Sequence, residues 1–266
     1  MSDSDRGQVS RSAADVYQEF FVPALFQQWA GKVADAARLQ PGHRVLDVAC
    51  GTGVLAREAA NRVGPTGSAV GVDINDGMLA VARREAPEIE WRKGAAEALP
   101  FDDGSFDAVV SQFGLMFFDD PRAAIREMMR VLRPQGSLAV AVWDSLAATP
   151  GYAAMTDLLQ RLFGERGANA LRAPFVLGDV HTLSGLFSDA GVADVRIATH
   201  AGVARFPSLH AWVRTDVKGW TLADMLDDAQ YALLQNEAQR TLQRFVTTDG
   251  SVAFPAPAHI AVAVKA

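Results

Sequence analysis

Short apolar, β-branched runs alternate with stretches of helical periodicity through the middle of this chain. The pattern predicts strand 44–48, helix 54–62, strand 68–72, helix 76–85, strand 89–92, strand 106–111, helix 121–132 and strand 137–143. Asp120 and Pro121 open the last of these helices by capping and by a proline at its first position, and Pro134-Gln135-Gly136 closes it. A helix at 179–190, a strand at 193–200 and a strand from His259 to Lys265 continue the order. Alternation of this kind predicts an α/β protein: a Rossmann-like, doubly wound, mostly parallel sheet covered on both faces, with ligands at the carboxyl ends of its strands.

Three segments are not needed to close such a sheet. Residues 10–40 carry an aromatic stripe of Tyr17, Phe20 and Phe21, then Phe26 and Trp29 after a break at Pro23. Residues 205–246 read as helical, with Ser208 and Thr221 as caps and an apolar face of Tyr231, Leu234, Ala238, Leu242 and Phe245. A helix at 151–163 adds Tyr152, Met155, Leu159 and Leu162. On pattern alone these segments are extra core or a dimer face, and the stripe of 231–246 suits a homodimer partner equally well.

The chemistry concentrates where the first two strands end. Val45 to Gly53 reads VLDVACGTG, and Val70-Gly71-Val72-Asp73 ends the next strand on a second acid. Gly51 and Gly53 let backbone N–H groups approach a ligand at a helix N-terminus, and Asp73 can take both hydroxyls of a ribose. Such a site holds a nucleoside. Gly51, Gly53 and Ala56 formally match the dinucleotide fingerprint, with the acid 20 residues beyond Gly53. Asp47, however, would repel a diphosphate, and the loop has no Lys or Arg, Arg57 lying more than a helical turn in. A ligand with a cationic centre and an amino group suits Asp47 better.

In four ordered segments the sequence resembles the class I S-adenosylmethionine (SAM) dependent methyltransferases, in the small-molecule branch similar to the ubiquinone/menaquinone biosynthesis enzymes. They are VLDVACGTG (45–53), VGVDINDGML (70–79), GAAEALPFDDGSFDAVVSQFGL (94–115) and EMMRVLRPQGSLAVAVW (127–143), within a resemblance spanning about residues 10 to 145. It implies a seven-stranded sheet whose last strand is antiparallel, with a helical lid over the acceptor. It further implies that Gly51, Thr52 and Gly53 lie against the methionine portion of SAM, with Asp47 beside its amino group. Asp73 would bind the ribose, Ile74 and Met78 would pack on the adenine, and Ala95 and Ala96 would line its edge. Ser111, Gln112 and Phe113 would border the methionine and the transferring methyl. Two positions depart from the pattern. Ala49 replaces the first loop glycine, which a strand-like backbone tolerates, and Ala95 replaces an acid that accepts from the adenine amino group, leaving that contact to backbone or to Glu97.

Composition fits a globular enzyme. A chain of 266 residues with 49% hydrophobic content can fill one sizeable core plus an elaboration. A net charge of −6 argues against a nucleic-acid partner. Cys50 is the only cysteine, which excludes an internal disulfide or a multi-thiolate metal site, and no metal is expected. The polar N-terminus and the lack of a long apolar run predict no membrane insertion and a cytoplasmic location. The expected organisation is an N-terminal helical lid segment (1–40), a SAM-binding core (41–145), a helical insertion with continuation of the core (146–204), a lid insertion (205–250) and a final core strand (251–266).

Methyl transfer from a sulfonium asks mainly for alignment and exclusion of water, which can contribute about 7–11 kcal/mol. A base is required only if the acceptor must lose a proton. His210, at the start of the lid helix, and Tyr17, near the expected sulfonium, are the candidates; Phe20, Phe21, Trp212 and Trp220 are the expected walls of a pocket for a small, apolar or aromatic acceptor. The same residues also admit a SAM-binding protein of the same fold with another activity, or a non-catalytic SAM-binding subunit.

Overall fold

The alternating pattern becomes a single seven-stranded sheet in the computed structural model, which describes residues 11–218 and 225–266. Its strands are β1 (Arg44–Val48), β2 (Ser68–Asp73), β3 (Glu90–Lys93), β4 (Phe106–Gln112), β5 (Leu132–Trp143), β6 (Arg196–His200) and β9 (Ala258–Val264), in the order β3-β2-β1-β4-β5-β9-β6. All neighbours pair in parallel except β9, which runs antiparallel to both β5 and β6. The antiparallel last strand is thus as expected. Because β2 and β4 both flank β1, the winding direction reverses at β1, and the crevice beyond its carboxyl end is where such sheets bind ligands.

Side-chain alternation sends each strand into two cores. Val45, Ala108, Val110, Ala139 and Ala141 join a core with α2 (Gln27–Ala36), α3 (Val54–Val63) and α4 (Asp76–Glu85). Leu46, Val48, Val109, Val140 and Val142 join another with α5 (Pro121–Val131) and α7 (Val180–Asp189), through Ile125, Met128, Leu183 and Phe187. Asp47 lies between Leu46 and Val48, so it shares the face of Val45. One acid therefore enters the first core at the crevice.

The additions differ from expectation in four places. Pro23 does not break the N-terminal segment: α1 (Arg11–Val16) runs through wide helical turns over Tyr17–Phe26 into α2, and the N–H of Gln27 reaches the carbonyl of Val22. Five-residue spacing accommodates the proline's missing N–H and its ring where an ordinary α-turn would not. Strand β5 starts at Leu132, which leaves α5 extended and pairs with Phe106; Pro134 keeps the next residue, Arg133, extended as well and so prevents the helix from resuming. Helix α6 spans Pro150–Arg172, with a kink at Gly164 (φ 73°) near the expected end.

The fourth difference is a two-stranded ribbon that brackets the expected lid, β7 (Val203–Phe206) across its start and β8 (Val252–Pro255) beyond its end. Four-residue strands of mixed polarity carry too short a period to be read from sequence. Between them lie α8 (Leu209–Lys218), which Ser208 caps by accepting from the Ala211 N–H at 3.1 Å, and α9 (Asp228–Thr241), opened by a capping box of Asp227 and Gln230. Leu234, Ala238 and Leu242 on the α9 stripe are buried within the chain, in the same core as Trp212 and Phe254. Thr221 and Trp220 fall outside the described residues.

Candidate active site

The loop after β1 holds three residues in the left-handed region within five positions: Ala49 (φ 56°), Gly51 (φ 54°) and Gly53 (φ 85°). Ala49 is therefore not strand-like as expected; the chain must swing out of the sheet and return, with the Cys50 N–H bonded to Val72 and the Gly53 N–H to Cys50. The two glycines have different tasks. A Cβ on Gly51 would meet nothing within 4 Å, whereas one on Gly53 would lie 2.3 Å from the Trp91 ring. Gly51 faces the crevice; Gly53 permits close packing of the loop on β3.

Asp73 ties the two strand ends together. Its Oδ2 accepts from the Gly51 N–H and its Oδ1 from the Asn75 N–H, both at 2.8 Å, while Asn75 caps α4 by accepting from Met78. Burial raises the Asp73 carboxyl, opposed by these backbone donors. Each oxygen keeps lone-pair capacity for a ligand hydroxyl. Asp47 is different: it is 1% exposed and neither oxygen has a hydrogen-bond partner. Burial pushes its carboxyl well above the usual range; the approach of the Ala56 N–H and the charge of Arg57 oppose the shift, and the charge of Asp73 adds to it. The hydroxyls of Thr52 and Ser111 and the Gln112 carbonyl oxygen are also buried without partners, although the Gln112 amide donates to Phe26. An orphaned buried polar group costs about 1–3 kcal/mol, so several of them at one strand edge mark a place for a polar ligand. Arg57 also comes closer than its position suggests, donating to the Thr52 carbonyl at 2.6 Å.

Beside Asp73 opens a cleft of about 460 Å³, lined by Ala49, Ile74, Ala95, Ala96, Glu97 and Phe117 among others. Ile74, half exposed, offers a flat apolar surface there. Met78 does not line it; this side chain is buried against Ala13 and Ala14 of α1. Glu97 accepts from the Asp119 N–H at 3.0 Å and so fastens the loop on the far wall.

A second cavity, of about 580 Å³, adjoins the first, and Phe117 lines both. Its walls are aromatic and aliphatic: Tyr17, Phe21 and Phe26 from the N-terminal segment, Phe113 and Trp143 from the sheet, Tyr152 and Phe175 from the α6 region. Phe113, itself left-handed (φ 58°), stacks on Trp143 with ring centroids 3.8 Å apart. Burial, then the charges of Asp73 and Asp47, raise the Tyr17 phenol far above its ordinary value, so it stays protonated and a donor.

Of the expected acceptor residues, Tyr17 and Phe21 line this cavity and Phe20, His210 and Trp212 do not. Phe20 lies under the Arg214 guanidinium, 5.0 Å away. His210 is exposed, because the α8 face that packs inward carries Leu209, Trp212 and Val213 instead. Trp212 is fully buried behind Tyr152, ring edge to ring face at 6.1 Å. Asp216 and Thr149 also line the cavity, although neither is among the candidates the sequence offers. The signal for Asp216 was present: Leu209, Trp212, Val213, Asp216 and Val217 form one buried helical stripe, with an acid at a core position.

Residues 46–140 match the family model of a methyltransferase domain. The chain is 34% identical over 196 residues to a demethylmenaquinone methyltransferase of Listeria welshimeri, covering 68% of this chain and 83% of the relative. A demethylmenaquinone methyltransferase of Renibacterium salmoninarum is 39% identical, over 55% of this chain and 61% of its own length. The ubiquinone/menaquinone biosynthesis C-methyltransferase UbiE of Ectopseudomonas mendocina is 40% identical, over 47% of this chain. The chain spans only 52% of that relative's length. Among solved structures, the YcgJ protein from Bacillus subtilis superposes over 90% of this chain and 98% of its own, with a TM-score of 0.60 at 19% identity, which shows a shared fold.

Proposed function

The chain belongs to the class I SAM-dependent methyltransferases, and from that premise we propose that it transfers the methyl group of SAM to a small, apolar or aromatic metabolite, leaving S-adenosylhomocysteine (SAH). The observation that carries this reading is the set of orphaned polar atoms around Asp47, between a cleft shaped for a nucleoside and an apolar cavity that shares a wall with it. Those residues fit SAM. Asp47 takes the amino group of the methionine moiety, with Thr52 and Ser111 as further partners; Gly51 leaves room for it. Asp73 receives the ribose hydroxyls while remaining bonded to Gly51 and Asn75, and Ile74, Ala95, Ala96 and Glu97 surround the base.

When bound, SAM supplies a methyl already made electrophilic by its sulfonium. The protein's part is placement. Phe113 and Tyr17 close the cavity at the cofactor end, their rings excluding water, and the protonated Tyr17 hydroxyl can orient an acceptor by donation but cannot serve as its base. His210, exposed and outside the cavity lining, is not placed to act as a base. Cytoplasmic action without a metal or nucleic-acid partner completes the reading; among the described residues no helix is long and apolar enough to cross a membrane.

The test is calorimetric titration with SAM and NAD, followed by a screen of hydroxylated aromatic metabolites for SAH release. Micromolar SAM binding with acceptor-dependent SAH supports the proposal. Tight NAD binding, or SAM binding with no SAH from any acceptor, overturns it.

A further inference from the structure

Asp216 is the one carboxylate among the described residues lining the apolar cavity, and it is 2% exposed. Its Oδ1 accepts from the Tyr152 hydroxyl at 3.2 Å; the Trp212 indole N–H also approaches the carboxyl, outside hydrogen-bond geometry, and the Oδ2 is buried with no hydrogen bond of ordinary geometry. No cation offsets it from its own helix: Arg214 stacks over Phe20, and Lys218 lies over Tyr231. Thr149, fully buried in the same cavity wall, sits at the N-cap of α6 without making the capping bond, and its hydroxyl also lacks a partner. Thr149, Tyr152 and Asp216 are the polar side chains of the α6 and α8 segments that line this cavity, and the Tyr152–Asp216 bond joins the two segments.

These polar groups are not at the cofactor end. Phe113 and Tyr17 belong to a ring cluster with Phe26 and Trp143, whereas Tyr152 packs with Phe175, Trp212 and Phe254. The cavity is bordered by both clusters. An acceptor filling it therefore meets the methyl group near Phe113 and the polar groups at its other end.

Building on the methyltransferase reading, we propose that Asp216, held by Tyr152 and joined by Thr149, is a subsite for the hydroxyl of a flat apolar acceptor such as a phenol, anchoring it with another atom toward the cofactor. One hydroxyl suits both orphans, since it donates to the Asp216 Oδ2 and accepts from the Thr149 hydroxyl. An ammonium would offer donors only, and would require two ions to be desolvated together. Burial raises the Asp216 carboxyl well above its ordinary range, which favours a neutral partner. A site built around a hydroxyl rejects analogues lacking it, because its buried polar groups are then left unpaired.

The experiment measures binding of 2-naphthol, 2-methoxynaphthalene and 2-(aminomethyl)naphthalene to the full-length protein saturated with SAH, in the wild type and in Asp216→Leu and Thr149→Val. The wild type is expected to bind 2-naphthol at least 10-fold more tightly than either analogue. Asp216→Leu should reduce that preference to about 2-fold or less and Thr149→Val should reduce it in part, both with SAH affinity unchanged as the control for folding. Equal wild-type affinity for the naphthol and its methyl ether, tightest binding of the amine, or full discrimination by Asp216→Leu each overturns the subsite. Failure to bind SAH at all would instead overturn the methyltransferase reading, so the two are separable.

Discussion

The cofactor half and the acceptor half of this site are built by different means. On the cofactor side, positions come from the backbone: strand ends β1, β2 and β4, two left-handed glycines, and N–H groups of Gly51 and Asn75 aimed at Asp73. On the acceptor side they come from side chains contributed by Tyr17 to Phe26, Phe113 to Phe117, Trp143 to Phe175, Asp216 and Ala256, segments that meet only in the folded chain. A backbone-built site is compact in sequence and tolerates few changes. The other can be re-lined residue by residue, which is how one fold serves many acceptors.

The largest expected effect lies within the glycine loop. Gly53→Val should lose the fold or destabilise it by several kcal/mol, because its Cβ would enter the Trp91 ring at a left-handed position. Gly51→Val, with open space at its Cβ, should keep more of the native structure yet lose SAM binding; thermal unfolding and calorimetry on both variants check this, and equal damage in the two would erase the distinction.

Next is Trp212→Ala on the acceptor side. Since the ring is fully buried behind the cavity wall, the change should cost about 3–5 kcal/mol of stability, read by denaturant unfolding. Wild-type stability with impaired acceptor kinetics would restore it to the cavity lining.

Asp216→Asn probes the same region through pH. The folded-state carboxyl binds its proton more tightly than the ordinary value of 3.8, so the wild type loses stability as pH rises from there through the raised value. Removing the titrating group should leave stability near wild type in acid. It should add on the order of 1 kcal/mol at neutral pH and above, about 2–4 °C in Tm for a chain of this size. A gain independent of pH would mean that Asp216 is not buried as described. The smallest expected effect is Ala49→Gly, which relieves a left-handed alanine and should stabilise by roughly 0.5–1 kcal/mol, visible as a higher midpoint in urea unfolding.

The contrast also explains what the sequence made legible. Strand alternation, the two acids at strand ends and the glycine spacing are local, so the sheet and the places of Asp47 and Asp73 can be anticipated from pattern, whereas the antiparallel last strand is implied only by the family resemblance. Ala49 could not, because its φ is set by how the loop rejoins Val72 across the strand. Residue type makes His210 and Trp212 candidates, whereas orientation on α8 decides their roles, leaving one exposed and the other in the core. The 3.6-residue period that buries Trp212 buries Asp216 one turn later, and an acid in an apolar stripe is the signal that marks it. The β7–β8 ribbon joins residues about 50 apart with four-residue strands, which no local pattern announces.

The central claim is that the strand ends hold SAM without help from the acceptor wall. Calorimetric titration of SAM into the wild type, Asp73→Ala and Phe21→Ala tests it most directly. Loss of ribose hydrogen bonds worth about 1.5–3 kcal/mol should weaken SAM by roughly 10- to 100-fold in Asp73→Ala. Phe21→Ala, which opens only the acceptor cavity, should stay within about 3-fold of the wild type. An unchanged SAM dissociation constant in Asp73→Ala, or an equal loss in Phe21→Ala, would contradict the account.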